Sequence, residues 1–460
     1  MSSARTLSAT SRALAAAAVL AFGWWPMAAL SASCVDEPVA PAASAASAAA
    51  NGARRAPDAR GVLQTLVREA IARSHQIGAA KLLADAAEDD IREVRAGKAI
   101  QASVGGGLGP GGSQSLAGTE TSALQVRGSV NVGQLLYDGG RIERLVDWRT
   151  QLAESARHGQ LNAQEQLALS TVSLAFERSR YREHSVVYGQ YVRKMVCLVE
   201  ALETIVRADR GRASELAQAR KSLQQAEISL ATAQAQTRQI EVRLRRLVGD
   251  NLPGTEGLNA LLLSVDPLPQ LVAEADHSSE IAALTAQAQA AQHYVDAVAA
   301  GSSPQVGWNI SGSQAVGRGG SRGNVKNGSY AVGVSVNIPL LSPGVPPATD
   351  AARKRARAAE LTRAEAIESR RFRVAEVHEQ ALASFDRMRR TADVLKDSEQ
   401  VRNATLQQWQ QLGRRSLFDV MAAEADHFNL RVSHINALTD GQQLNANLLS
   451  LGRGVNEWLR

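Results

Sequence analysis

Two periodicities divide the chain. Leu124, Val126, Gly128, Val130 and Val132 alternate with Gln125, Arg127, Ser129 and Asn131. Farther on, Tyr330, Val332, Val334, Val336 and Ile338 alternate with Ala331, Gly333, Ser335 and Asn337. A period of two marks a strand with one apolar face. Ile100, Ala102 and Val104, and again Val306, Trp308 and Ile310, supply a partner strand for each. Strands are therefore expected at about 99–107, 123–134, 305–314 and 329–338. Gly107 to Ser122 and Ser313 to Gly328 are rich in Gly and Ser and lack apolar anchors, so they are expected as the connecting loops, on the outer side of a membrane if the strands cross one.

The second periodicity is helical and very long. None of the 13 prolines lies between 111 and 252 or after Pro347, and proline inside a helix costs roughly 3 kcal/mol. A helix from Arg141 to Asp209 would extend about 100 Å at ~1.5 Å per residue. Its counterpart starts at Pro346-Pro347, which suits a first helical turn. The segments Gly211-Arg212-Ala213-Ser214 and Gly413-Arg414-Arg415-Ser416 stop these helices, each with a glycine and a serine able to cap the next.

The chain is written twice, about 200 residues apart. Leu66-Val67-Arg68-Glu69 returns as Leu271-Val272-Ala273-Glu274, Arg95-Ala96-Gly97 as Ala299-Ala300-Gly301, and Leu135-Leu136 as Leu340-Leu341. The first repeat is read as 59–250 with a helical hairpin at 141–248, and the second as 271–455 with a hairpin at 347–452. A Gly- and Pro-containing linker, 251–270, joins them. Each repeat is a helix, two strands and a long helical hairpin. An amphipathic hairpin on a soluble core shows the same alternation. If the strands instead cross a membrane, four cannot do so alone, because an open sheet would leave two edges unpaired in hydrocarbon. Three copies would supply twelve strands and close the ring.

Composition narrows the choice. Apolar residues make up 45% of the 460 residues but aromatics only 4%, which suits long helices packed through small side chains. Residues 1–33 read as a signal peptide, with Arg5 and Arg12, an apolar run from Ala13 to Phe22 and small residues Ser31-Ala32-Ser33. An Ala- and Pro-rich flexible segment, 34–58, follows. Loss of the two leader arginines takes the net charge from +6 to +4, too little to indicate nucleic acid. Beyond residue 34 no apolar run reaches the ~18 residues of a membrane helix. Cys34 stands where a lipid could be attached after cleavage, although Ser31 rather than leucine lies three residues before it. The second cysteine, Cys197, falls in a helical pattern as a small hydrophobe.

Catalytic constellations are missing. The sequence holds no Gly-x-x-x-x-Gly-Lys-Ser/Thr loop, no His-Glu-x-x-His helix and no Gly-x-Ser-x-Gly elbow. The eight histidines are scattered; His427 and His434, seven apart, are too few for a metal site. Neither enzyme activity nor a cofactor or metal is expected. The basic stretch Arg353 to Arg373 is interleaved with Glu360, Glu365 and Glu368, as on a solvated helix face.

With both repeats laid out, the chain resembles the TolC family of outer-membrane channels over about 60–455. The run Val130-Asn131-Val132-Gly133-Gln134-Leu135-Leu136-Tyr137-Asp138-Gly139-Gly140 is similar to that family's strand exit into its first long helix, and Gly211 to Ala219 and Gly413 to Ala423 are similar to its hairpin tips. The resemblance implies a mainly α fold with a β-barrel part: a homotrimer whose 12-stranded barrel sits in outer-membrane lipid and continues as a periplasmic α-helical barrel. It implies a passive conduit in a Gram-negative envelope, coupled to a periplasmic adaptor (membrane fusion) protein and an inner-membrane transporter. The wording Gly211-Arg212-Ala213-Ser214-Glu215-Leu216-Ala217-Gln218-Ala219 is closest to members serving type I secretion. There an ABC transporter passes a protein cargo, such as an RTX toxin of the adenylate cyclase-haemolysin type. Drug-efflux members, served by proton-driven pumps, share the architecture. A periplasmic adaptor, with one hairpin between β domains, fits less well.

By the same resemblance Asp419 matches an aspartate ringing the periplasmic aperture, while Arg415 and Glu215 match a latch between neighbouring tips around Gly211 and Gly413. A second ring aspartate is replaced by Ala422, so the collar is either weaker or completed by Glu424. Plainer roles stay open. Ser416-Leu417-Phe418-Asp419 reads equally as a capping box, Glu215 as a favourable first-turn acid, and Arg415 as solvated surface.

Overall fold

The computed structural model describes residues 58–114, 120–319, 323–412 and 416–460. The leader 1–33, Cys34, most of the segment after it, Gly413 and Arg415 lie outside these. The first repeat comprises α1 (Ala59–Arg73), α2 (His75–Ala96), β1 (Gln101–Gln114), β2 (Glu120–Tyr137), α3 (Arg141–Ala208) and α4 (Ala213–Val248). The second comprises α5 (Leu268–Ala275), α6 (Ser279–Ala299), β3 (Gln305–Gly319), β4 (Gly323–Asn337), α7 (Val345–Leu412) and α8 (Leu417–Leu451), before a terminal α9 (Val455–Leu459). Element follows element in the same order in both halves. The long helices α3 and α7 each have 68 residues, and their return arms α4 and α8 have 36 and 35.

The hairpins are thus unequal, and other helices fill beside the outgoing arms. Along α3, Arg149 and Arg157 pair with Asp90 and Glu88 of α2, at 3.1 and 2.6 Å. Trp148 of α3 stacks near Tyr294 of α6, with ring centroids 4.9 Å apart. α6 also packs on α7 through Val295, Ala352 and Ala356. Alanine at such positions lets helices approach closely, which accounts for a chain with few aromatics.

A belt at mid-length ties the repeats together. Leu63, Leu66, Phe176, Leu244, Leu258, Val455 and Leu459 form its core. Gln442 Nε2 donates to the carbonyls of Leu258 and Leu261, and Asn445 Nδ2 donates to those of Leu262 and Ser264, fastening the linker to α8. Glu165 accepts from the Val455 and Asn456 amides at the start of α9. Burial pushes the Glu165 carboxyl up, opposed by these amide bonds.

The four strands form one antiparallel sheet in the order β1-β2-β3-β4. They run farther than the sequence suggests. β1 continues to Gln114 and β2 begins at Glu120, while β3 continues to Gly319 and β4 begins at Gly323. Most of the glycine- and serine-rich stretches read as loops are therefore strand. Glycine lowers strand propensity, yet an unbroken ladder pairs Gly105 with Ser129 through Gln114 with Glu120. Backbone pairing with a neighbour settles what composition alone obscured.

The strand exit Asp138-Gly139-Gly140 has a local cause. Asp138 is buried and accepts from the Gly140 and Ile142 amides at 3.0 and 2.7 Å, satisfying free donors at the start of α3. Gly139 and Gly140 take φ of +67° and +83°, a region costly for residues with a side chain. At Gly139 a Cβ would also meet the Ser303 side chain at 2.1 Å. The turn thus seats the first repeat against the entry to β3.

Candidate functional site

Two regions carry the functional geometry: the sheet and the far end of the bundle. On the sheet, strand register assembles the apolar positions into rows. Ala102 pairs with Val132, Val132 with Ile310, and Ile310 with Val332. The next row is Val104, Val130, Gly312 and Tyr330, and a third, farther out, is Leu108, Val126 and Val316, ended by the charged Lys326. These residues pack against little: Tyr330 is 91% exposed and Val104 84%. An apolar face this wide and bare needs a nonaqueous neighbour. The opposite rows are small and polar, such as Ser103, Asn131, Ser311 and Ala331, or Gly105, Ser129, Ser313 and Ser329. Ser313 and Ser329 hydrogen-bond across the strands at 2.8 Å. β1 and β4 each pair on one side only, so the sheet has two open edges.

At the other end, α3 runs to Ala208 and returns through a short turn at 210–212. Asp209 organises it, accepting from the Gly211 amide at 3.0 Å. Ser214 does not cap the return helix, which starts one residue earlier behind Arg212 without a side-chain cap. The second tip differs. Ser416 does cap α8, its Oγ accepting from the Phe418 amide at 3.1 Å. Asp419 sits in the first turn of α8, exposed at the end of the bundle. Glu215 occupies the first turn of α4, half-buried, with Oε2 enclosed and without a hydrogen-bond partner among the described residues. Arg415, expected as its latch partner, lies outside the described residues, as does Gly413.

Glu424 departs from the reading that made it a substitute in the collar. Its side chain is 0% exposed and turned into the bundle, 3.5 Å from Lys194 Nζ of α3 and 3.8 Å from Arg402 Nη1 of α7. The reason is spacing. Leu417, Val420, Met421, Glu424 and Phe428 recur on one helical face, and that face is buried against Met195, Leu198, Leu202 and Ala219. A carboxylate in that stripe is carried inward with it. The same spacing is present in the sequence, where the charge masks it because acidic residues usually lie outside. Burial, together with the nearby Glu424 carboxylate, also pushes the Tyr191 phenol up.

His427 and His434 of α8 both hydrogen-bond to α7. His427 Nδ1 lies 3.4 Å from Ser398 Oγ, and His434 Nδ1 lies 3.1 Å from the Met388 carbonyl. Among the described residues no group of three or more His, Cys, Asp or Glu side chains could hold a metal. No helix among them is long and apolar enough to cross a membrane.

A bare apolar face on a sheet, joined end-on to helices of 68 residues, defines a class of envelope channel subunits. The family model for outer membrane efflux proteins matches residues 66–250 and 271–452, one span in each repeat. The chain belongs to the outer membrane efflux protein family, and its place is the outer membrane, with the helical part in the periplasm. Members are transport conduits rather than enzymes. No curated protein matches it in sequence. Solved structures share the fold at low identity. The outer membrane protein VceC from Vibrio cholerae is 19% identical, with 85% of this chain and 96% of that one covered and a TM-score of 0.69. A membrane protein from Pseudomonas aeruginosa is 16% identical, with 85% and 92% covered and a TM-score of 0.73. The open state of the Neisseria gonorrhoeae MtrE outer membrane channel is 18% identical, with 85% and 89% covered and a TM-score of 0.65.

Proposed function

We propose that three copies close into a 12-stranded barrel and act as the outer-membrane conduit of a type I secretion system. The observation that carries the trimer is the four-stranded sheet with two open edges and one bare apolar face. Unpaired backbone groups in hydrocarbon cost several kcal/mol each, so β4 of one copy pairs with β1 of the next until the ring closes. The apolar rows then face lipid and the small polar rows face the lumen. Helices of about 100 Å continue the conduit across the periplasm, where their tips meet an adaptor and an ABC transporter. The transporter supplies the energy for a polypeptide cargo of the RTX type. Asp419 rings the aperture there, and Arg415 of one tip latches to Glu215 of its neighbour.

The type I assignment is supported by the tip wording Gly211 to Ala219. A second reading, small-molecule efflux with a proton-driven pump, is favoured by the family description. Deletion of the gene separates them. Loss of a secreted polypeptide with unchanged tolerance to dyes and detergents supports type I secretion, and the reverse pattern supports efflux. Outer membranes extracted in mild detergent should yield a trimer on a semi-native gel; a soluble monomer would sink both.

A further inference from the structure

We propose that Arg127 forms a cationic ring in the barrel lumen that attracts and briefly holds anionic groups of the passing cargo, an inference that rests on the trimeric-barrel reading above. Register places Arg127 in the row Gly107, Arg127, Ala315 and Asn327, on the small polar face. Among the strand residues of that face whose side chains are described, Arg127 is the one charged group; the others are Gly, Ser, Asn, Gln, Ala and Leu. It is exposed, and no ion pair joins it to a described residue. A guanidinium stays protonated at any physiological pH, so each copy contributes one uncompensated positive charge.

The wall beside it is shaped for access. On β1 the positions sharing this face are Gly105, Gly107, Gly109 and Gly111, which leave a shallow concavity bordered by Gln125, Arg127 and Ser129. Gln125 lies across its outer end, where Nε2 donates to the Gly111 carbonyl at 3.1 Å. Arg127 faces a stretch of β1 that has only glycines on this face, so its exposed head reaches open water in the lumen. Three such heads on the wall of one aqueous lumen attract anions, as charged rings do in selective pores. Arg127 lies ten residues before Tyr137, about 33 Å along the strand at ~3.3 Å per residue. This station is therefore distinct from Asp419 at the opposite end, and of opposite sign.

Planar-bilayer recordings with inorganic tripolyphosphate as the probe test the ring. Wild type should be blocked from one chamber. Arg127→Gln and Arg127→Ser should each raise the half-blocking concentration about tenfold. Arg127→Lys should stay close to wild type. Lys326, in the row with Val316 on the outward face, supplies the control: Lys326→Gln should leave the block unchanged. Equal block in wild type and in both neutral variants, each recovered as a conducting trimer, would overturn the ring while leaving the channel intact. Equal loss in Lys326→Gln would overturn it as well. A wild type that forms no conducting trimer would remove the barrel reading and the ring together.

Discussion

Lys194 Nζ and Glu424 Oε1 stand 3.5 Å apart inside the end of the bundle, their side chains 4% and 0% exposed. The pair links α3 of the first repeat to α8 of the second, and Arg402 of α7 approaches the same carboxylate. Removing one partner of such a buried group costs roughly 3–5 kcal/mol, whereas apolar replacement of both is far cheaper. Glu424→Ala is therefore expected to loosen this end of the bundle, and Lys194→Met with Glu424→Leu to restore much of the loss. Hydrogen exchange of the first turns of α8 measures it. Exchange in Glu424→Ala no faster than in Glu360→Ala, a change on an exposed face, would refute the link.

The repeated order of helix, strand pair and helical hairpin was legible because proline is excluded from long helices and apolar alternation survives in Leu124 to Val132 and Tyr330 to Ile338. Strand ends were not, since Gly105 to Gly112 has no side-chain pattern and is held by backbone pairing with β2. The capping role of Ser416 was legible from its spacing to Asp419, and the structure realises it through the Phe418 amide. The parallel expectation for Ser214 failed, because Asp209 already organises that turn. The inward position of Glu424 depends on which face of α8 meets the neighbouring helices, a tertiary fact that the charge itself concealed.

The two faces of the sheet respond differently to charge. Val332 lies in the apolar row with Ile310 and Val132, whereas its neighbour Ala331 lies in the polar row with Ser311. A lysine on the lipid face near mid-membrane costs roughly 2–4 kcal/mol per copy. Val332→Lys should abolish or strongly reduce the trimer in outer-membrane extracts, and Ala331→Lys should leave it near wild-type abundance. Equal yields would mean that the apolar rows do not meet lipid.

The two roles expected of Asp419, in the first turn of α8, are separable. Its negative charge favours a helix start by about 0.3–1 kcal/mol, and as a ring of three it would attract cations at the aperture. Asp419→Ala is expected to lower cation selectivity, read as a shift of the reversal potential in a KCl gradient. Ser416→Ala removes the cap, at a cost near 1 kcal/mol, and keeps the charge, so it should reduce helix stability without that shift. Identical reversal potentials in all three proteins would leave Asp419 with the helix alone.

A latch between neighbouring tips must be weak enough to release. Ion pairs at a protein surface contribute only about 0.2–1 kcal/mol each, so three of them could hold the tips together and still yield to a docking partner. Arg415→Ser and Glu215→Gln should each raise single-channel conductance, and the double variant should add little beyond either, because the same contact is lost. Fully additive effects would separate the two residues, and unchanged conductance in both would remove the latch.

His184 gives the bundle an acid-side weakness. Its ring is buried on α3 between Tyr181 and Tyr188, at centroid distances of 5.6 and 6.3 Å. Burial foremost, then the Arg180 cation, pushes its pKa down from 6.5 to about 4, opposed by a hydrogen bond with Asn436. The folded protein thus keeps His184 neutral where the unfolded chain protonates it. Stability from this residue is complete above pH 6.5 and is lost as pH falls toward 4. The adjacent Glu183 carboxyl, pushed up by burial, works in the opposite direction. His184→Phe isolates the histidine, since it leaves Glu183 in place and removes the proton site. Its unfolding midpoint should fall less between pH 7 and pH 5 than that of wild type. A matching drop in the two proteins would show that His184 already takes up its proton while folded.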